Sequence, residues 1–202
     1  MNEKITNNEK VLALAHERGI IRGQDLKEKG IHPEYLRRLV TQGLLVQTGR
    51  GLYIAADADI SVHHSLAQTS KWIPIGVVCL LSALQFHNIG TQGPFEVWLA
   101  LDRKAAHPRI GYPPLRIVRF SGESLTEGIE KHQIENISVK VYKPAKTVAD
   151  CFKYRNKIGL DVAIEALQDC LRQRRCTNDE LWYYSKICRV SNVMKPYLEL
   201  MI

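Results

Sequence analysis

The sequence predicts an α+β protein, and three observations carry that prediction. Residues 1–56 hold three short helical patterns followed by a hairpin signal, residues 95–142 hold three runs rich in β-branched and aromatic side chains, and helical periodicity returns from Pro144. A chain of 202 residues has room for a small module joined to a medium one, and Asp57 and Asp59 among small residues mark the boundary. The expected domains are therefore 1–56 and 57–202, the second a mixed α/β domain with a small sheet and several helices.

In the first domain, Asn8 is placed to cap a helix whose apolar positions Val11, Leu14 and Ala15 follow helical spacing and which Gly19 ends. After Ile20 and Ile21, RGQDLKEKG reads as a brief polar helix that buries little beyond Leu26 and stops at Gly30. The next stretch, IHPEYLRRLVTQG, has Pro33 at the first helical position, Ile31 ready to pack on Leu36, and Gly43 at the C-terminal cap. A helix from Pro33 to Gln42 follows, with Leu36, Leu39 and Val40 on one side and Glu34, Arg37, Arg38 and Thr41 on the other. LLVQTGRGLYIA then gives two short strands around Thr48-Gly49-Arg50-Gly51, a tight turn with arginine at its tip.

Three short helices and a hairpin make the winged variant of the helix-turn-helix, whose third helix enters the DNA major groove. On that reading His32, Tyr35, Arg37, Arg38, Thr41 and Gln42 face double-stranded DNA, the arginines matching guanine O6 and N7 or a phosphate. Arg50 meets phosphates or a narrowed minor groove. The opposing reading is a solvated helix face on a winged helix used for protein contacts. Total charge does not choose between them, because residues 1–56 hold nine Lys+Arg against six Asp+Glu, a surplus of only three. Placement of the arginines is what favours DNA.

Whole-chain composition bounds the rest. Hydrophobic residues at 45% and charged ones at 24% describe a folded protein, and a net charge of +7 attracts polyanions. The longest apolar run, Trp72 to Leu84, is cut by Pro74, Gly76 and Ser82 and is shorter than the roughly 20 residues of a membrane span. The polar start MNEKITNNEK has no signal-peptide character, so a cytoplasmic protein without a membrane partner is expected. Five scattered cysteines without a CxxC pair predict five reduced thiols and no structural zinc.

The stretch Val11 to Ala55, above all YLRRLVTQGLLVQTGRGLYIA, resembles the N-terminal domain of the AbiEi-type antitoxins of type IV, abortive-infection toxin–antitoxin systems. VKVYKPAKTVADCFKYR, residues 139–155, resembles the same family's strand followed by a proline-started helix. The resemblance implies a winged helix that represses its own operon and a C-terminal domain that opposes a nucleotidyltransferase-type toxin, without enzymatic activity. It departs from the family where Arg22 and Gly23 stand in place of a Ser or Thr cap, which leaves the second helix a loose start. Inverted repeats are the expected operator.

Beyond residue 57, Val62 to Lys71 and Pro74 to Phe86 read as two helices, the second strongly apolar. FEVWLAL from Phe95, LRIVRF from Leu115 and ISVKVY from Ile137 are expected to share one small sheet. KTVADCFKYR, then LDVAIEALQDCLRQRR with Val162, Leu167, Cys170 and Leu171 roughly along one face, then TNDELWYYSKIC capped at Thr177 or Asn178, and a short terminal segment complete the helices. Between the first two strands, DRKAAHPRIGYPP brings Arg103, Lys104, Arg109 and Tyr112 close in sequence to Arg116 and Arg119. This densest basic cluster reads equally as a second nucleic-acid surface or as a solvated loop at a sheet edge.

Enzymatic readings are weaker. A metal-dependent nuclease needs acids on adjacent strands beside a lysine; Asp102 and Lys104 have the local spacing, but the only nearby acid, Glu96, lies on the same strand. Cys151 beside Asp150 has no local imidazole, and the adjacent His63 and His64 diverge on a helix, so both histidines read as surface or capping residues. Asp150 reads most simply as a solvated pair with Lys153. No catalytic residue, metal ligand or cofactor is expected. The competing non-enzymatic function is a plain winged-helix transcription factor with a ligand- or partner-binding C-terminal domain, which gene context separates from an antitoxin.

Overall fold

The computed structural model describes residues 6–201. Their backbone contacts divide the chain into two compact units, one running to Pro74 and taking in Pro108–Pro114 and Gln133–Val139, the other made of Ile75–His107, Leu115–His132 and the chain from Lys140 onward. The winged-helix pattern closes at Ala55, so the unit containing it extends well past the hairpin.

In the first unit α1 (Asn7–Arg18), α2 (Gly23–Glu28) and α3 (Glu34–Thr41) precede the hairpin β1 (Leu45–Gly49) and β2 (Leu52–Ala55), and α4 (His64–Trp72) follows. The α1 cap is Thr6, not Asn8. Thr6 Oγ1 accepts the Glu9 N–H at 3.3 Å while the Glu9 carboxylate accepts the Thr6 N–H at 2.6 Å, a reciprocal pair that a Thr with Glu three residues on satisfies and Asn8 does not. The α2 start is not loose either. The Asp25 carboxylate accepts the Arg22 N–H at 2.8 Å and is itself held by Arg18 at 3.1 Å and Lys71 at 3.1 Å, so an acid from inside the helix fixes the backbone at its start although no side chain caps it. Val11, Leu14, Leu26, Leu36, Leu39 and Leu45 form the core; each such side chain, fully buried, contributes about 1.5–3 kcal/mol. Ile21 exchanges both backbone hydrogen bonds with Tyr53 at 2.9 Å, which adds a third, one-residue strand to the hairpin.

In the second unit the sequence Pro74 to Phe86 is not one helix. It divides into β3 (Val77–Val78) and α5 (Leu80–His87), because β-branched residues after Gly76 take up sheet pairing before the helix begins. β4 (Val97–Asp102) and β5 (Leu115–Phe120) lie wholly in this unit, while β6 (Ile129–Ile134) ends and β7 (Ile137–Tyr142) begins in the Gln133–Val139 segment of the first; with β3 they make a five-stranded sheet of order β5-β4-β3-β7-β6, two strands more than the three apolar runs announce. β3 is central, antiparallel to β4 (Val77 opposite Ala100) and parallel to β7 (Val78 opposite Val141), while β4 and β5 run parallel with Trp98 opposite Arg116. β6 and β7 meet at Glu135–Asn136, with φ of 50° and 61°, as a two-residue hairpin turn requires.

Short α6 (Glu123–Thr126) precedes β6; after β7 come α7 (Pro144–Lys153), α8 (Arg155–Ile158), α9 (Leu160–Arg172), α10 (Asn178–Cys188) and α11 (Ser191–Met201). α7 packs against α5, α9 and α10, and Leu84, Phe120, Tyr142, Val148, Phe152 and Leu167 belong to one continuous core. Thr177, not Asn178, caps α10 through a reciprocal pair with Glu180. The five-thiol expectation is corrected: the turn after α9 brings Cys176 back onto Cys170 as a disulfide pair with Cα atoms 5.9 Å apart, leaving Cys79, Cys151 and Cys188 free and buried. Among the described residues no helix is long and apolar enough to cross a membrane.

Candidate nucleic-acid interface

The outer face of α3 follows from its sequence. With Leu36 and Leu39 buried, the 3.6-residue repeat leaves Arg37, Arg38, Thr41 and Gln42 exposed, together with His32 ahead of the helix. Pro33 is the cap rather than the first helical residue. It brings no side-chain acceptor, and the His32 ring supplies one: Nδ1 accepts the Glu34 N–H at 3.2 Å. Tyr35 is half-buried, its hydroxyl accepting from Asn7 Nδ2 at 3.2 Å, and the Arg38 guanidinium lies 5.4 Å from its ring centroid. A cation held over an aromatic face keeps a defined direction. Thr41 donates its hydroxyl back to the Arg37 carbonyl at 3.1 Å. Six sequence-predicted residues thus share the α3 region, but His32, Tyr35 and Thr41 also hold local structure, whereas Arg37 and Gln42 carry no side-chain bond among the described residues.

Arg50 is exposed at the wing tip, beside Gly51 at φ 71°, a turn conformation that suits glycine. Thr48 is the extra residue of a bulge, for Gln47 pairs with Tyr53 and Gly49 with Leu52. Sequence reasoning missed what fixes this wing. Gln68 on α4 is fully buried and donates its Nε2 to the Thr48 carbonyl at 2.9 Å, close to the Thr48 hydroxyl at 3.1 Å. A Cβ on Gly49 would sit 2.9 Å from that nitrogen, so glycine here serves close approach. Gln68→Leu leaves the Thr48 carbonyl without its donor and is expected to cost about 1–3 kcal/mol of first-unit stability, measured by urea unfolding. A change below about 0.5 kcal/mol contradicts the assigned role.

The basic cluster is divided between the two units. Arg109 belongs to a segment of the first unit, while Arg103, Lys104, Arg116 and Arg119 belong to the second. Arg103, Arg116 and Arg119 line one cleft of about 630 Å³; Lys104 does not. Asp102, the nuclease candidate, accepts the Lys104 N–H at 2.8 Å, and Glu96 is paired with Arg116 at 2.7 Å, so both acids are engaged within the protein. Among the described residues no three His, Cys, Asp or Glu side chains are grouped to hold a metal ion.

Two further sequence readings are corrected. His64 is not a surface or capping residue, since its Nδ1 lies 2.7 Å from the largely buried Glu135 carboxylate. Asp150 is not in a solvated pair with Lys153. It is fully buried and bonded to the equally buried Lys146 at 2.6 Å, one helical turn earlier, while Lys153 reaches Ser124 at 3.3 Å. Cys188 donates its thiol to the other Asp150 oxygen at 3.2 Å, and the Lys146 ammonium lies 4.2 Å from the Tyr142 ring centroid and 4.9 Å from that of Phe120. Burial pushes the Asp150 carboxyl up against the opposing pull of Lys146, and it pushes the Cys79 and Cys151 thiols well above their usual range. Those thiols stay protonated, which is the chemistry of packing rather than of nucleophiles.

Residues 9–56 match the family described as a transcriptional regulator, AbiEi antitoxin, which bears out the resemblance read from Val11 to Ala55. No curated protein matches the chain. Among solved structures, the crystal structure of the RV2827C protein from Mycobacterium tuberculosis is similar over 99% of this chain and 82% of its own, with a TM-score of 0.60 and 14% identity. At that identity the likeness speaks for the fold alone. It extends an α+β architecture across both units.

Proposed function

We propose that this chain is a DNA-binding transcriptional regulator that represses its own operon and serves as the antitoxin of a type IV toxin–antitoxin pair. The observation that carries the reading is the α3 face, where Arg37, Arg38 and Gln42 project from a helix whose opposite side is locked into a core, in a segment matching the AbiEi regulators. Duplex DNA is the partner: Arg37, Arg38 and Gln42 carry the base contacts, His32, Tyr35 and Thr41 shape the same surface, and Arg50 meets the backbone from the wing. The antitoxin role rests on the family match at residues 9–56 and on the resemblance at residues 139–155, with a nucleotidyltransferase-type toxin encoded alongside as the functional counterpart. Regulation of this kind requires no catalytic residue or cofactor.

The wing gives a test of the DNA reading by a route separate from base recognition. Arg50→Ala is expected to weaken binding to the DNA upstream of the gene without changing sequence preference, and to lower the slope of log K against log salt by about one. Gel shifts across a salt series read both quantities. A loss confined to one base position, or an unchanged salt slope, contradicts the wing assignment.

A further inference from the structure

Four cations line one cleft of the second unit: Arg103, Arg116, Arg119 and Lys157. Among the described residues no carboxylate lines it. Its volume of about 630 Å³ falls within the roughly 300–1,000 Å³ typical of small-molecule sites. The four cations are not equivalent. Arg119 donates to the carbonyls of Asp102 and Ala105, each at 2.8 Å, and Arg116 is paired with Glu96 at 2.7 Å while lying 5.4 Å from the Trp98 ring centroid. Those two are built into the fold. Arg103 and Lys157 make no side-chain hydrogen bond or ion pair among the described residues; the Lys157 ammonium only approaches the Tyr154 ring, at 5.6 Å from its centroid. Two positive charges therefore border a concave surface without a carboxylate partner among the described residues, an arrangement that concentrates anions.

The remaining wall is apolar and aromatic. Trp98 and Val118 are more than nine-tenths buried, and Tyr154 is stacked on Phe120 at 5.6 Å with its phenol pushed up to about 12 by burial. A bare inorganic anion gains nothing from such a wall, whereas a heterocyclic base does. Arg103 also borders a second depression of about 780 Å³, whose other cations are Lys153, Arg155, Lys186 and Arg189 against a single carboxylate, Glu123. Arg103 is common to both linings, so the second depression adds four more cations to the positive surface that Arg103 belongs to.

We propose that this cleft binds a nucleoside di- or triphosphate, with the base against the Trp98–Tyr154 wall and the phosphates on Arg103 and Lys157. The site lies outside the winged helix and stands independently of the DNA reading. Isothermal titration of the full chain at low salt, with ATP, GTP, CTP and UTP and with inorganic tripolyphosphate, tests it. At least one nucleotide is expected to bind about tenfold or more tighter than tripolyphosphate. Arg103→Ala and Lys157→Ala should each weaken that nucleotide by about tenfold, the loss of a charge-assisted hydrogen bond, with unchanged melting curves, while Lys195→Ala, on α11, should leave it unaffected. The proposal is overturned if no nucleotide binds, if tripolyphosphate binds as tightly as the nucleotides, if the two variants bind like the parent chain, or if Arg103→Ala lowers operator affinity in a protein that takes up no nucleotide, which would give the cleft to DNA.

Discussion

Arg37→Ala and Arg38→Ala are each expected to weaken operator binding, by about 1–3 kcal/mol, or roughly five- to 150-fold, for whichever arginine grips a guanine edge. The geometry ranks them. Arg38 is oriented by the Tyr35 ring and so gives up less side-chain freedom on binding than Arg37, whose side chain makes no hydrogen bond or ion pair among the described residues. Arg38→Ala should therefore have the larger effect and relax preference at one base pair. Both side chains are exposed on a helix held by Leu36 and Leu39 from the other side, so unfolding free energies should move by no more than about 0.5 kcal/mol. Competition gel shifts against sequence-scrambled duplex separate affinity from specificity. If both variants keep parental affinity and preference, α3 is not the recognition helix.

The second large effect lies in the other unit. Lys146→Ala leaves the Asp150 carboxylate buried without its cation, and Asp150→Ala does the reverse, so each is expected to destabilise by about 3–5 kcal/mol in urea unfolding. A typical domain has only about 5–15 kcal/mol to lose. The double variant Lys146→Met with Asp150→Leu should recover most of the deficit, because it removes both desolvation penalties and fills the space with apolar atoms against Tyr142 and Phe120. A double variant no more stable than the singles shows that the pair is needed for more than charge balance. Both residues fall in the run that resembles the family's proline-started helix, and in this fold both are fully buried.

That pair also shows where sequence reading ends. Lysine and aspartate four apart on a helix are the ordinary sign of a solvated ion pair; here Cys188 of α10 and the Tyr142 and Phe120 rings pack on the pair and take it out of water. The winged helix was legible because glycine, proline and apolar spacing are local signals: α2, α3 and the hairpin came out within a residue or two of their observed bounds. β5 and β7 matched their runs of β-branched residues from end to end. β3 and β6 were missed for opposite reasons, one too short to show alternation and the other too polar on its outward positions. The interface was legible as a set of residues but not as a set of roles. That His32 serves as an acceptor for α3, and that Gln68 anchors the wing from a helix beyond the expected boundary, are tertiary facts with no periodic trace.

Footprinting of the purified chain on the DNA upstream of its own gene should show protection over inverted half-sites whose centres lie about one helical turn, roughly 10–10.5 base pairs, or a multiple of it apart, with the protection abolished in the Arg37→Ala, Arg38→Ala double variant at the same salt. An unprotected promoter, or a footprint that the double variant reproduces, would contradict operator binding through α3.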